Sequence, residues 1–253
     1  MEEIKIIKRP DIKIENLKNK IFCAEASKLL ALLPDKCIDL ALIDPPYGID
    51  YTGQLKRKLG GKGLSKSKYS WVDRGGSEKT WDKERVAPEL IREAIRVSKN
   101  QIIWGGNYYA DILDPSQCYL VWNKGQRGFS LADGELAYTS YDKALRIFDY
   151  SRSQFKADEP KKIHDTQKPI KLMEWCIDRA KLKPGAVIID VFCGSATTAI
   201  AAYNKGFDFI CADIDADMIK KAQARYEDHT RQIKLITPKE MLVQTNFIEG
   251  IQA

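Results

Sequence analysis

The run CIDLALI, from Cys37 to Ile43, is apolar almost throughout, has the length of a strand, and stops at Asp44. Alternating polarity would mark a strand with one wet face; a continuous apolar run marks one buried on both faces of a parallel sheet. The signature returns in AVIID, residues 186–190, again closed by an acid. With helical spacing in the segments that follow, these strands predict an α/β fold, in which ligands gather at the carboxyl ends of the strands.

The remaining pattern fits that frame. IFC at 21–23 reads as a strand, and Leu29, Leu30, Leu32 and Leu33 mark a helix that Pro34 ends. Apolar spacing predicts helices over 84–99, 169–181 and 216–226, with another opening near Ser195. Strands are expected over 101–104, 119–122, 135–138 and 209–212, with a weaker one over 144–148; beyond Thr230 strand or loop is expected. Residues 51–83 hold seven lysines (56, 58, 62, 66, 68, 79, 83), Arg57 and Arg74, with Tyr69, Trp71 and Trp81 interleaved, and read as a long basic loop insertion. Trp104 and Trp122 fall in apolar runs and are expected in the core.

A length of 253 residues suits one domain, 1–253, carrying loop insertions rather than two cores. The net charge of +6 fits a polyanionic partner without establishing one. The opening MEEIKIIKRPDIKI lacks an apolar core of signal-peptide length, and no segment approaches the roughly 18 apolar residues of a membrane span, so a cytoplasmic protein is expected. Cys23, Cys37, Cys118, Cys176, Cys193 and Cys211 form no C-x-x-C pair and are expected as reduced thiols. With only His164 and His229, no metal site is expected.

Two loops carry chemistry. Asp44, Pro45, Pro46, Tyr47 and Gly48 follow the first buried strand. Two prolines fix φ and donate no N–H, leaving a stiff bracket of acceptors. A carboxylate beside a carbonyl can accept both hydrogens of one amino group, and Tyr47 offers a flat face for a ring, so the fitting ligand is an exocyclic amine on a planar base. Taken alone, the same residues also make an ordinary turn. The second loop, Asp190 to Thr198, passes through Phe192, Cys193, Gly194, Ser195 and Ala196 into Thr197 at a helix start, where small residues admit a ligand to the backbone. Asp213 lies 23 positions after Asp190, close to the interval at which an acid on the next strand meets a ribose. A nucleoside cofactor is implied. No P-loop lysine follows, which argues against ATP hydrolysis.

With these loops in order, the chain resembles the β-type amino-methyltransferases of DNA. The resemblance extends over nearly the whole chain, through IIWGGNYYADIL (102–113), LVWNKGQRGFSLADGELAYTS (120–140) and HDTQKPIKLMEWCI (164–177). It implies a Rossmann-like, doubly wound, mostly parallel sheet of the class I methyltransferase type, and S-adenosylmethionine as methyl donor. It further implies that Thr166, Gln167 and Lys168 lie near the methionine end, that Asp190, Phe192, Gly194, Ser195 and Thr197 shape the cofactor turn, that Asp213 holds the ribose, and that Glu25 faces the adenine. The cofactor turn departs from the family's usual Asp-Pro-Phe-x-Gly-Ser-Gly at Val191 and Ala196, Asp165 stands where proline is common, and Asp213 replaces the usual glutamate.

The implied activity is site-specific methylation of adenine N6 in double-stranded DNA, as in restriction-modification, with the target base flipped out and Asp44, Pro45, Pro46 and Tyr47 forming the catalytic loop. Residues 51–83 would grip phosphates, or would be a solvated surface loop; 142–163 is a variable segment that would contribute to target recognition, and a homodimer would supply further DNA contacts. The loop's Asp-Pro-Pro-Tyr form leans toward adenine, since cytosine enzymes more often begin it with serine. Cytosine-N4 methylation, RNA adenine methylation and an inactive nucleic-acid-binding homologue remain open alternatives.

Overall fold

The computed structural model describes residues 13–49, 84–127, 132–164 and 166–249. The basic loop insertion at 51–83 lies outside the described residues, as does Asp165. In chain order the elements are β1 (Lys20–Cys23), α1 (Ala26–Leu32), β2 (Ile38–Ile43), α2 (Pro88–Val97), β3 (Ser98–Trp104), β4 (Tyr119–Asn123), β5 (Gly134–Thr139), β6 (Arg146–Asp149), α3 (Arg152–Asp158), α4 (Ile170–Ala180), β7 (Val187–Asp190), α5 (Thr197–Asn204), β8 (Asp208–Asp213) and α6 (Ala216–Glu249).

The strands form one eight-stranded sheet in the order β1-β8-β7-β2-β3-β5-β4-β6. Its pairings are parallel except those of β5 with β3 and β4. Side chains of β2 alternate between two cores. Leu40 and Leu42 join Ile102, Trp104 and Ile188 beneath α4 and α5, while Ala41 and Ile43 join Ile103, Ile189 and Ile210 beneath α1 and α2. Both faces of β2 are therefore covered, which explains why CIDLALI lacks alternation.

The centre of the sheet positions the site. β2 and β7 are parallel neighbours, with Leu40 opposite Ile188 and Ala41 opposite Ile189. From β2 the chain passes through α2 to β3 on one side; from β7 it passes through α5 to β8 on the other. The winding thus reverses between these strands, and the crevice at such a reversal is where open α/β sheets bind ligands.

Three expectations are corrected. The helix expected over 84–99 occupies Pro88–Val97, because Pro88 suits a first turn and β3 begins at Ser98. The weak strand at 144–148 is shifted to Arg146–Asp149 and followed by α3, which starts at a capping box formed by Ser151 and Gln154. Among the described residues beyond Thr230 there is neither strand nor loop: α6 runs to Glu249 through a stretch rich in Lys, Glu, Gln, Met and Leu, all good helix formers, and Pro238 does not end it. Trp104 and Trp122 are core residues as expected, and all six cysteines are free.

Candidate active site

Asp44 leaves β2 and Asp190 closes β7, so both acids open into one cleft of about 390 Å³ at the crossover. Its wall brings together Glu25, Asp44, Pro46, Thr166, Gln167, Lys168, Asp190, Phe192, Gly194, Ser195, Thr197 and Asp213. Of the residues expected from the sequence, Pro45 and Tyr47 alone are not in this wall.

At the Asp44 end, each Asp44 carboxylate oxygen accepts a hydrogen bond. The Tyr47 hydroxyl donates to Asp44 Oδ1 at 2.5 Å, and Lys168 Nζ donates to Asp44 Oδ2 at 2.6 Å. Lys168 Nζ also lies 3.3 Å from the Tyr47 oxygen and 3.0 Å from Glu135 Oε2. Lys124 pairs with the other Glu135 oxygen. Burial opposes ionisation of Glu135, yet the ammoniums of Lys168 and Lys124 outweigh it and hold the carboxyl down to about 2. Burial likewise opposes charge on Lys168, and Asp44 and Glu135 reverse that, raising its pKa. Burial, with the adjacent Asp44, pushes the Tyr47 phenol well up, so it is a donor at neutral pH.

The proline bracket is braced from behind. The Pro46 carbonyl accepts from the Tyr109 hydroxyl and from Val86 N–H at 3.3 Å. The Pro45 carbonyl has no hydrogen-bond partner among the described residues. The Tyr47 ring stacks on Tyr108 with centroids 4.9 Å apart and planes 15° from parallel. It also presses on Gly105, where a Cβ would come within 2.1 Å of Tyr47 Cε1.

At the Asp190 end, carboxylates organise the turn. Asp190 accepts from Phe192 N–H at 3.0 Å and from the Thr198 hydroxyl at 2.6 Å. Burial, reinforced by Asp44 and Asp213, pushes the Asp190 carboxyl up to about 7 against those two hydrogen bonds. Asp213 Oδ2 accepts from Gly194 N–H at 2.9 Å and Oδ1 from Asp215 N–H at 3.1 Å. Gly194 has φ +45°, and nothing lies within 4 Å of the place a Cβ would take, so a ligand can reach this backbone. Glu25, at the cleft edge, accepts from the Ser27 hydroxyl at 2.5 Å.

The 164–168 segment is fastened by residues that sequence reasoning missed. Glu159 accepts from Ile170 N–H at 2.7 Å, Gln167 Nε2 at 3.1 Å and Arg225 at 2.9 Å. Arg225 in turn donates to the Ser195 carbonyl at 2.7 Å and to Thr197 Oγ1 at 3.1 Å. Gln167 is thereby held as scaffold within the wall, and the Thr197 hydroxyl donates to the Lys168 carbonyl at 3.2 Å. His164 Nδ1 lies 3.0 Å from the Thr166 hydroxyl. Glu135 had a visible signal, an acid in an apolar strand, whereas Arg225 sits in a charged helix face that nothing in the sequence singles out.

A doubly wound, mostly parallel sheet with acids on the two strands flanking its crossover defines a fold of the class I methyltransferase type. Residues 76–224 match the family model described as DNA methylase, the N6/N4 amino-methyltransferases, and the chain belongs to that family. The Asp44 loop precedes the matched stretch. The Type II methyltransferase M.HinfI of Haemophilus influenzae is 24% identical over 294 residues, spanning 93% of this chain and 79% of that protein. Among solved structures, M1.HpyAVI in complex with S-adenosylmethionine superposes with a TM-score of 0.54 at 18% identity, covering 81% of this chain and 98% of that one. The cytosine-N4-specific PvuII DNA methyltransferase gives 0.52 at 15% identity, covering 84% and 90%. At these identities the two structures speak for the fold.

Proposed function

We propose that residues 1–253 form one methyltransferase domain that transfers a methyl group from S-adenosylmethionine to the exocyclic N6 of adenine in DNA. The observation that carries this reading is the single cleft shared by Asp44 and by the Asp190–Gly194–Asp213 turn. Its volume of about 390 Å³ falls in the range of roughly 300–1,000 Å³ typical of small-ligand sites. The open backbone at Gly194 fits a nucleoside. Asp213 would hold the ribose, Glu25 would face the adenine ring, Asp190, Phe192, Gly194, Ser195 and Thr197 would shape the cradle, and Thr166, Gln167 and Lys168 would close the methionine end.

Bound there, S-adenosylmethionine supplies an electrophilic methyl group. An exocyclic amine is a weak nucleophile because its lone pair is delocalised into the ring. Asp44 and the Pro45 carbonyl would accept its two hydrogens, localise that lone pair and aim it, so that this chain contributes orientation and electrostatics. Asp44 would then take the proton that must leave, directly or through water. A base paired in a duplex cannot reach such a cleft, so the target would be flipped out or unpaired.

Adenine is favoured over cytosine by the aspartate that begins the Asp-Pro-Pro-Tyr loop. Incubation with methyl-labelled cofactor and DNA, followed by nucleoside analysis, should yield N6-methyl-2′-deoxyadenosine. Asp44→Ala should lower kcat by at least about 100-fold, as loss of a group acting on the transition state does. N4-methylcytosine as product would replace the substrate, and full methylation by Asp44→Ala would refute the role of the loop.

A further inference from the structure

Four ionisable side chains alternate in sign behind the catalytic loop: Lys124, Glu135, Lys168 and Asp44. The two contacts of Lys168 are not equivalent. Toward Asp44 Oδ2 its ammonium makes a hydrogen bond of 2.6 Å. Toward Glu135 Oε2 it approaches to 3.0 Å, yet that buried oxygen has no hydrogen-bond partner and so keeps unused acceptor capacity. Asp44 Oδ1 already accepts from the Tyr47 hydroxyl, and Oδ2, which an incoming amine would use, already accepts a charged N–H donor belonging to the protein.

Resting on the functional reading above, we propose that Lys168 is a stand-in for the target amine: it occupies Asp44 Oδ2 in the free enzyme and turns to Glu135 when the base enters. Glu135 is then the residue that clears Asp44 for substrate, and both Lys168 and Glu135 are positioning residues. An ammonium has three donors on a flexible stem, so a small rotation converts the 3.0 Å contact into a hydrogen bond. The exchange moves a buried cation from one carboxylate to another rather than leaving it unpaired, which would carry a large penalty. Lys124 anchors the far oxygen of Glu135 and keeps the receiving carboxylate in place. The rings of Tyr47 and Trp104, 5.6 and 5.8 Å from Lys168 Nζ, provide a favourable surround for the cation.

The test compares Glu135→Gln, Lys168→Met and the double variant, measuring kcat and KM for DNA at saturating cofactor, with cofactor Kd by calorimetry. In Glu135→Gln the ammonium stays on Asp44, so kcat/KM for DNA should fall at least about ten-fold while cofactor Kd stays within about two-fold. Because Lys168 also closes the methionine end, the double variant is read at saturating cofactor with its cofactor Kd measured alongside; removing the competitor together with its receiving charge should raise kcat/KM for DNA clearly above that of Glu135→Gln, a coupling that a merely structural role would not give. Should Lys168→Met alone fail to fold around a Glu135 left with Lys124 as its one cation among the described residues, the double variant still reports. Wild-type kcat/KM in Glu135→Gln, or a double variant no better than Glu135→Gln, overturns the exchange while leaving methyl transfer standing. A wild-type protein that transfers no methyl group sinks both readings.

Discussion

Gly105 shows how one backbone position determines the geometry of the catalytic loop. Its φ of +68° is left-handed, and the space a Cβ would need is held by the Tyr47 ring. Gly105→Ala must either strain the backbone or push Tyr47 off Asp44. Stability should drop by about 1–3 kcal/mol, and methyl transfer should fall more steeply than the loss of folded protein explains. Denaturant melts beside kcat would show it, and unchanged turnover in the alanine variant would mean that Tyr47 does not orient Asp44. Ala196 sits at φ +58° in the cofactor turn, where the family usually has glycine. This departure is tolerated because a methyl group in the left-handed region costs only about 1–2 kcal/mol.

Among the elements, α3 has a larger role than its seven residues suggest. The segment 142–163 reads as variable and polar, yet the end of α3 delivers Glu159 beneath the cofactor turn. Glu159 and Arg225 are only 11% and 14% exposed, so removing one partner strands the other in a poorly solvated site. Glu159→Ala should cost about 3 kcal/mol in urea unfolding, since breaking a buried pair leaves a charge uncompensated. It should also weaken cofactor binding, because Gln167 and the Ser195 carbonyl lose their common tether. Calorimetry on the folded variant would separate these effects, and an unaltered cofactor Kd would confine Glu159 to stability.

For the whole molecule, the buried acids set opposing pH dependences. Asp190 titrates near 7 when folded, above its ordinary value of 3.8. Between about pH 4 and 7 the folded chain keeps a proton that the unfolded chain has released, so this group's contribution to stability falls as pH rises. Glu135 is the reverse: its stabilisation is present above the ordinary 4.5 and is lost as pH falls toward about 2. Asp190→Asn should therefore flatten the decline in stability from pH 5 to 7 by on the order of 1–2 kcal/mol. Urea midpoints at the two pH values measure it, and an unchanged difference would mean that Asp190 is already ionised at pH 5.

Much of this arrangement was legible in the chain because it is written locally. Continuous apolar runs marked β2 and β7, the acids closing them marked a ligand edge, and proline and small-residue turns marked the two loops. Helix α3 was legible in principle through Ser151 and Gln154, but a two-residue cap is a faint signal in a polar stretch. Tertiary structure alone decided that β2 and β7 are neighbours, because which parallel strands pair depends on how crossovers pack over the whole sheet. It likewise decided that Lys168, 124 positions from Asp44, would reach that carboxylate, and that Glu135 and Arg225 would meet their partners. Periodicity records which face of an element is buried; a charge held between distant segments leaves no periodic trace, since its energy comes from a partner that only the folded chain brings near.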